Sequence, residues 1–252
     1  MPHIVAAGHS ISYQLLDGAA PTLVFLHEGL GSIRQWREFP GKVAAATGCR
    51  ALVYDRYGYG DSEVLQESRI GVDFMHREAL VALPEILSGL NIQCPILIGH
   101  SDGASIALIY AGSFPVRGLV VMAPHVYVEE FNLNSIRKIT ASFETSGLKE
   151  GLAKYHRDAA KTFRLWSDAW LDPEFRRWNI EEYLPGIRCP LLAIQGESDD
   201  YGTMAQLEAI ARRVKGACEL LELPDCGHAP FKDKPEQVLN SVVSFIRNLP
   251  KQ

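Results

Sequence analysis

The chain has 252 residues, 47% of them hydrophobic and 22% charged, with a formal net charge of −5. That length buries a substantial core within one domain, and the composition excludes both a disordered chain and a disulfide-stapled miniature. The acidic balance, with basic residues scattered among acidic ones, leaves no support for a phosphate-tracking nucleic-acid surface.

Cys49, Cys94, Cys189, Cys218 and Cys226 form an odd set without a C-x-x-C pair. They point away from a disulfide framework or a zinc site and toward a reducing compartment. The N-terminal stretch, Met1-Pro2-His3-Ile4-Val5-Ala6-Ala7-Gly8, has neither a basic leader nor a signal-peptide apolar run, and no segment reaches membrane-spanning length. The expectation is a cytoplasmic protein with no membrane or nucleic-acid partner.

Along the chain, residues 9–16 alternate in polarity and predict an antiparallel edge hairpin. Short apolar runs at 22–27, 51–55, 95–100, 119–123, 191–195 and 219–223 predict strands, and their near-continuous apolar character fits strands buried on both faces. Between them, spacings of three or four predict helices over 34–47, 72–89, 102–112, 203–214 and 235–248, with Pro84 expected to kink or interrupt the second. This alternation predicts an α/β fold with a mostly parallel central sheet flanked by helices.

From residue 126 to about 185 the alternation stops. The segment reads as helical and holds three of the four tryptophans, Trp166, Trp170 and Trp178. An insertion at 126–185, between two strands of a core built from 1–125 and 186–252, is expected to form a helical lid. Its aromatics serve either as lid wall or as glue to the core, and an exposed aromatic face there would also suit a homodimer contact.

The stretch Gly99-His100-Ser101-Asp102-Gly103 places a serine between an apolar run and small residues. A serine on a sharp strand-to-helix turn needs small neighbours, and the next helix then points its N-terminal N–H groups and positive dipole end at the reacting atoms. A serine hydroxyl also needs a base and a group to orient that base. The run 191–195 is followed by Gly196-Glu197-Ser198-Asp199-Asp200, and 219–223 by Pro224-Asp225-Cys226-Gly227-His228. Each acid or base candidate thus follows the carboxyl end of a predicted strand, where open parallel sheets bind ligands.

The chain resembles the α/β-hydrolase superfamily over almost its full length. The motifs are Leu26-His27-Glu28-Gly29-Leu30-Gly31-Ser32, Asp55-Arg56-Tyr57-Gly58-Tyr59-Gly60-Asp61-Ser62, the Ser101 turn, Gly196 to Asp199, and Gly227-His228. The resemblance implies a Ser101, Asp199, His228 triad, with Asp200 as fallback for the acid and Asp225 set aside. It also implies an oxyanion hole from the backbone N–H groups of Asp102 and Gly29.

Glu28 departs from the family's more usual His-Gly and is expected either in the pocket or, preferably, held by hydrogen bonds beneath its loop. Asp102 is expected to favour the helix N-terminus, and His27 and His100 to position loops. His125, Trp166 and Trp170 complete the candidate substrate pocket. No histidine pair has metal-ligand spacing, and Arg34 breaks any G-x-G-x-x-G reading of Gly29 and Gly31, so neither metal nor cofactor is expected.

The expected activity is serine-dependent hydrolysis of a small ester or lactone with an apolar or aromatic part. The alternatives are carbon-carbon hydrolysis of a ring-cleavage product, for which Arg137, Arg157, Arg164 or Arg188 would have to face inward, and a cofactor-free haloperoxidase-like reaction. The partner is a small-molecule substrate.

Overall fold

The computed structural model describes residues 1–250. Eight strands form one sheet in the order β1-β2-β4-β3-β5-β6-β7-β8. The strands are β1 (His3–Ala6), β2 (His9–Leu16), β3 (Ala19–Leu26), β4 (Cys49–Tyr54), β5 (Ile96–His100), β6 (Gly118–Met122), β7 (Leu191–Gly196) and β8 (Cys218–Leu223). β1 and β2 pair antiparallel and β2 is antiparallel to β4, whereas β4, β3, β5, β6, β7 and β8 run parallel. The expected edge hairpin and parallel sheet are both present.

The apolar runs are explained by position. β5 and β6 are buried at every residue because helices cover both faces. β8, at the edge, exposes Glu219 and Glu222, charges that blunt edge-to-edge pairing.

Among the described residues ten α-helices surround the sheet: α1 (Phe39–Thr47), α2 (Phe74–Arg77), α3 (Leu83–Gly89), α4 (Asp102–Ser113), α5 (Glu130–Ser142), α6 (Leu148–Ala153), α7 (Ala159–Leu171), α8 (Ala205–Arg213), α9 (Pro230–Asp233) and α10 (Pro235–Arg247). One core layer packs Trp36, Phe39, Val43, Phe231, Val242 and Phe245 against one sheet face. The other combines α3 and α4 with Trp166, Trp170, Phe175 and Trp178 of the 126–185 segment. Those aromatics are therefore continuous with the core: Phe143 stacks on Phe163 at 3.9 Å, and Trp170 is 1% exposed. No helix of the described residues is long and apolar enough to cross a membrane.

Two helical expectations need correction. The helix expected over 34–47 is broken at Arg37, whose φ of 54° separates a 3-10 turn (Ile33–Trp36) from α1. The helix expected over 72–89 continues past Pro84, with a π-helical turn just before the proline in place of a break. A proline lacks an N–H and its ring collides with the carbonyl four residues back, and here a π-helical turn, Glu78–Ala82, stands between α2 and α3 just before it.

The close approach of β3, β5 and α4 sets the serine turn. A Cβ on Gly103 would lie 2.0 Å from the Leu26 carbonyl oxygen, and one on Gly99 would lie 2.3 Å from the Gly103 carbonyl oxygen. Only glycine lets α4 start this close to the sheet. Gly103→Ala is expected to destabilise the fold by about 3 kcal/mol, high in the usual range for overpacking. Urea unfolding checks this, and an unmoved midpoint would contradict it.

Candidate active site

The loops following β3, β4, β5, β6, β7 and β8 meet at the carboxyl edge of the sheet, which brings residues far apart in sequence to one place. Ser101 sits there with φ 53° and ψ −120°, a left-handed-side conformation that a non-glycine residue adopts only when its surroundings impose it. Its N–H donates to the Met122 carbonyl at 2.9 Å, fixing the turn from β5 into α4 against the end of β6.

The structure brings Ser101, His228 and Asp199 into one hydrogen-bonded chain. His228 Nδ1 lies 2.8 and 2.9 Å from the two Asp199 carboxylate oxygens, and its Nε2 lies 2.9 Å from Ser101 Oγ. A carboxylate can only accept, so Nδ1 carries the hydrogen and Nε2 is left to accept from the serine hydroxyl.

Asp199 also accepts from the Tyr201 N–H at 2.7 Å and the Gln195 side-chain amide at 2.8 Å. Burial alone would raise its carboxyl, but the His228 contact and the Tyr201 N–H outweigh it and hold Asp199 below its ordinary value. Asp200 is exposed, so Asp199 is the acid placed against His228.

Gly196 has a steric role three residues before that acid. A Cβ there would lie 2.2 Å from the Cys226 carbonyl oxygen, so glycine lets the loops carrying Asp199 and His228 lie side by side. The Ser198 N–H then donates to the Cys226 carbonyl at 2.9 Å.

The loop after β3 is oriented through the Glu28 carbonyl. It accepts from His27 Nδ1 at 2.8 Å, from the Arg56 guanidinium at 2.7 Å and from the Gly31 N–H at 3.0 Å. In a planar trans peptide the following N–H points the opposite way, so these three donors also aim the Gly29 N–H. His27 Nε2 accepts from the Arg56 N–H at 3.1 Å, and burial, then the Arg56 charge, push the ring well below its usual value. His27 is a neutral loop-positioning residue, as expected. Asp55, with Asp61, closes the neighbouring loop: its carboxylate accepts from the Ile33 N–H at 2.7 Å and the Asp61 N–H at 2.9 Å.

Glu28 satisfies both alternatives read from sequence, since it lines the cavity and is also held by partners. Its carboxylate pairs with His100 Nδ1 and accepts from Lys232 Nζ at 3.2 Å. His100 Nε2 in turn donates to the backbone carbonyl of His228 at 2.6 Å. Burial would raise the Glu28 carboxyl, but the His100 ring and then Lys232 reverse that and hold it well below the carboxylate range.

Glu28 thus reaches the His228 backbone through one ring. Glu28→Gln removes the charge at the head of this link and is expected to lower kcat by about ten- to a hundredfold, the scale of a charge-assisted hydrogen bond. KM should change little. Steady-state kinetics check this, and an unchanged kcat would show that the link does not position His228.

Asp102 is 1% exposed and accepts from the Trp166 indole N–H at 3.0 Å. Burial raises its carboxyl, opposed first by the Arg56 charge and then by the Trp166 and Trp170 indoles, although the Trp170 N–H completes no hydrogen bond in normal geometry. The expected helix-terminal role is therefore joined by a second one, tying α7 to the serine turn. Trp166 also covers Gly29, where a Cβ would lie 2.2 Å from the indole nitrogen.

Above Ser101 lies a cavity of about 170 Å³. All four pocket candidates, Glu28, His125, Trp166 and Trp170, line it. His125 packs edge-on to Trp170 at 5.3 Å, and burial, then the neighbouring His228, push it down to about 3, so it is neutral. None of Arg137, Arg157, Arg164 and Arg188 lines this cavity, and Arg137 is instead spent on Glu130 at the surface.

Among the lining residues that escaped sequence reasoning, which include Ile136 and Ile139, two are polar. Tyr201 places its ring 4.7 Å from His228, and its position two residues after the acid was the only available signal. Asn132 on α5 had none, because its neighbours Phe131-Asn132-Leu133-Asn134 read as an ordinary half-polar helix.

The alpha/beta hydrolase family matches residues 23–241, which includes every candidate residue above. The chain belongs to the alpha/beta hydrolase family. Within that family it is 25% identical to the mouse (Mus musculus) sn-1-specific diacylglycerol lipase ABHD11, across 94% of this chain and 85% of the relative. It is 22% identical to 3-oxoadipate enol-lactonase 1 of Acinetobacter baylyi, across 91% and 90%. Among solved structures, an esterase from Exiguobacterium antarcticum superposes with a TM-score of 0.78 at 19% identity, covering 98% of this chain and 99% of that one. This alpha/beta hydrolase therefore shares its fold with that esterase and its sequence pattern with enzymes that carry lipase and lactonase names.

Proposed function

We propose that this protein is a serine esterase or lactonase that cleaves a small carboxylic ester through an acyl-enzyme, with the 126–185 segment acting as its lid. The observation that carries the reading is the Ser101 hydroxyl, held in a strained turn 2.9 Å from an imidazole nitrogen whose other nitrogen is bound by a buried carboxylate.

In this mechanism Ser101 Oγ attacks the acyl carbon while its proton passes to His228 Nε2, and Asp199 stabilises the imidazolium. The carbonyl oxygen, now negative, accepts from the Gly29 and Asp102 N–H groups, neither of which is committed to another acceptor among the described residues. His228 returns the proton to the departing alkoxide, leaving the acyl group on Ser101. Water then gives a proton to His228, attacks the acyl carbon and releases the acid, and Ser101 Oγ recovers the proton.

The lid walls, Ile136, Ile139, Trp166 and Trp170, favour an apolar or aromatic substrate part. Among the described residues no lysine or arginine lines the cavity, which counts against a ring-cleavage diacid and the carbon-carbon reading. Hydrolysis of 4-nitrophenyl acetate, butyrate and phenylacetate and of δ-valerolactone, set beside a vinylogous 1,5-diketone, tests the choice. Ester or lactone turnover is expected, and cleavage of the diketone with every ester and lactone untouched would overturn it.

A further inference from the structure

Several polar side chains of the cavity wall are not used by the mechanism above. Three of them, His125 at Nδ1, Trp170 at Nε1 and Asn132, hold buried polar atoms without a partner among the described residues, and Asn132 alone leaves both a donor and an acceptor unpaired. Asn132 is 1% exposed, and neither its amide oxygen nor its amide nitrogen meets a hydrogen-bond partner among the described residues. It lies on α5 with Ile136 and Ile139, four and seven positions along the sequence, and all three line the cavity. That spacing defines a single helix face. A leucine at 132 would complete an apolar wall without burying any polar atom, whereas a buried amide with both functions unpaired is a standing cost that native interiors seldom carry.

The charge at the site is equally one-sided. Glu28 and Asp102 line the cavity, no lysine or arginine among the described residues does, the His125 ring is neutral, and the His100 ring is already committed to the Glu28 carboxylate and the His228 carbonyl. A carboxylate substituent would face two like charges with no partner. An ammonium substituent would also find no unclaimed counter-ion, because Glu28 is taken by His100 and Lys232 and Asp102 accepts from Trp166. The complement of an unpaired amide is an uncharged group with both a donor and an acceptor.

We propose that Asn132 is a specificity-determining residue that docks an uncharged carboxamide-type group on the substrate, and that the cavity rejects esters bearing a carboxylate. This rests on the esterase reading and names the substrate class within it. The acyl and alcohol sides of the ester are both open to carry the group, and the test covers each.

Two series matched in main-chain length are compared by proton release at constant pH. The first is ethyl pentanoate, ethyl succinamate and monoethyl succinate. The second is butyl acetate, 3-acetoxypropanamide and 3-acetoxypropanoate. In at least one series the carboxamide ester is expected to exceed its alkyl analogue in kcat/KM by about tenfold, and the carboxylate ester to fall about tenfold below it.

Asn132→Leu should abolish the carboxamide advantage. The ratio is taken within one enzyme, so any general loss of activity cancels. The same variant should melt at a higher temperature, because it removes the unpaired amide. A wild type that prefers the alkyl or the carboxylate ester in both series, or a ratio unchanged in Asn132→Leu, would overturn the proposal. If none of the six esters is cleaved while a fluorophosphonate still labels Ser101, the specificity alone is wrong. If the label fails, the esterase reading falls with it.

Discussion

Ser101→Ala and His228→Ala are each expected to lower kcat on any good ester substrate by about a millionfold, and the double variant to lose little more than either alone. The two residues act as one unit: without His228 Nε2 at 2.9 Å the hydroxyl keeps its proton, and without the hydroxyl the base has nothing to activate. Neither change should unfold the protein. Asp199 keeps the Tyr201 N–H and the Gln195 amide when His228 is cut back, so no buried carboxylate is left without a donor. Single-turnover kinetics on each variant, with circular dichroism to confirm folding, check both statements. Losses that multiply in the double variant would contradict joint action.

Asp199→Asn is expected to cost about ten-thousandfold in kcat while leaving the fold intact, the scale seen when a triad carboxylate becomes an amide. Local geometry makes the substitution worse than a simple loss of charge. Asp199 Oδ1 meets the Tyr201 N–H and His228 Nδ1, and Oδ2 meets the Gln195 amide and the same imidazole nitrogen. All of these are donors. Either orientation of an asparagine amide would set its NH2 against one of them, and the imidazole relieves the conflict by moving its hydrogen to Nε2, where it can no longer accept from Ser101. The loss should therefore fall on kcat more than on KM. A variant within tenfold of the wild type would show that Asp199 does not govern the state of His228.

Much of this arrangement was legible in the residue order. The apolar runs located the parallel strands because burial on both faces leaves no room for polar alternates, and Gly99 and Gly103 marked the serine turn because α4 and β3 leave no room for a Cβ. The expectation of an acid three residues after Gly196 came from the family resemblance and not from residue order, and that glycine has a steric reason in the carbonyl of Cys226.

What stayed hidden are pairings across the chain. Glu28 and His100 are 72 residues apart, and their contact exists only because β3 and β5 are sheet neighbours. Trp166 reaches Asp102 only through the way α7 packs over the serine turn. Asn132 is polar on a helix whose other cavity-facing residues are isoleucines, and periodicity alone does not tell such a residue from a solvated one. The π turn before Pro84 was missed for a related reason: the proline signalled a break, and one wide turn took its place without ending the helix.

Labelling of the folded protein with a fluorophosphonate tests the central claim most directly, because it reads activation of the serine without requiring the natural substrate. Mass spectrometry should find one adduct, on Ser101, absent from Ser101→Ala and formed far more slowly in His228→Ala. A wild-type protein that remains unlabelled, or one labelled equally fast without His228, would contradict the account.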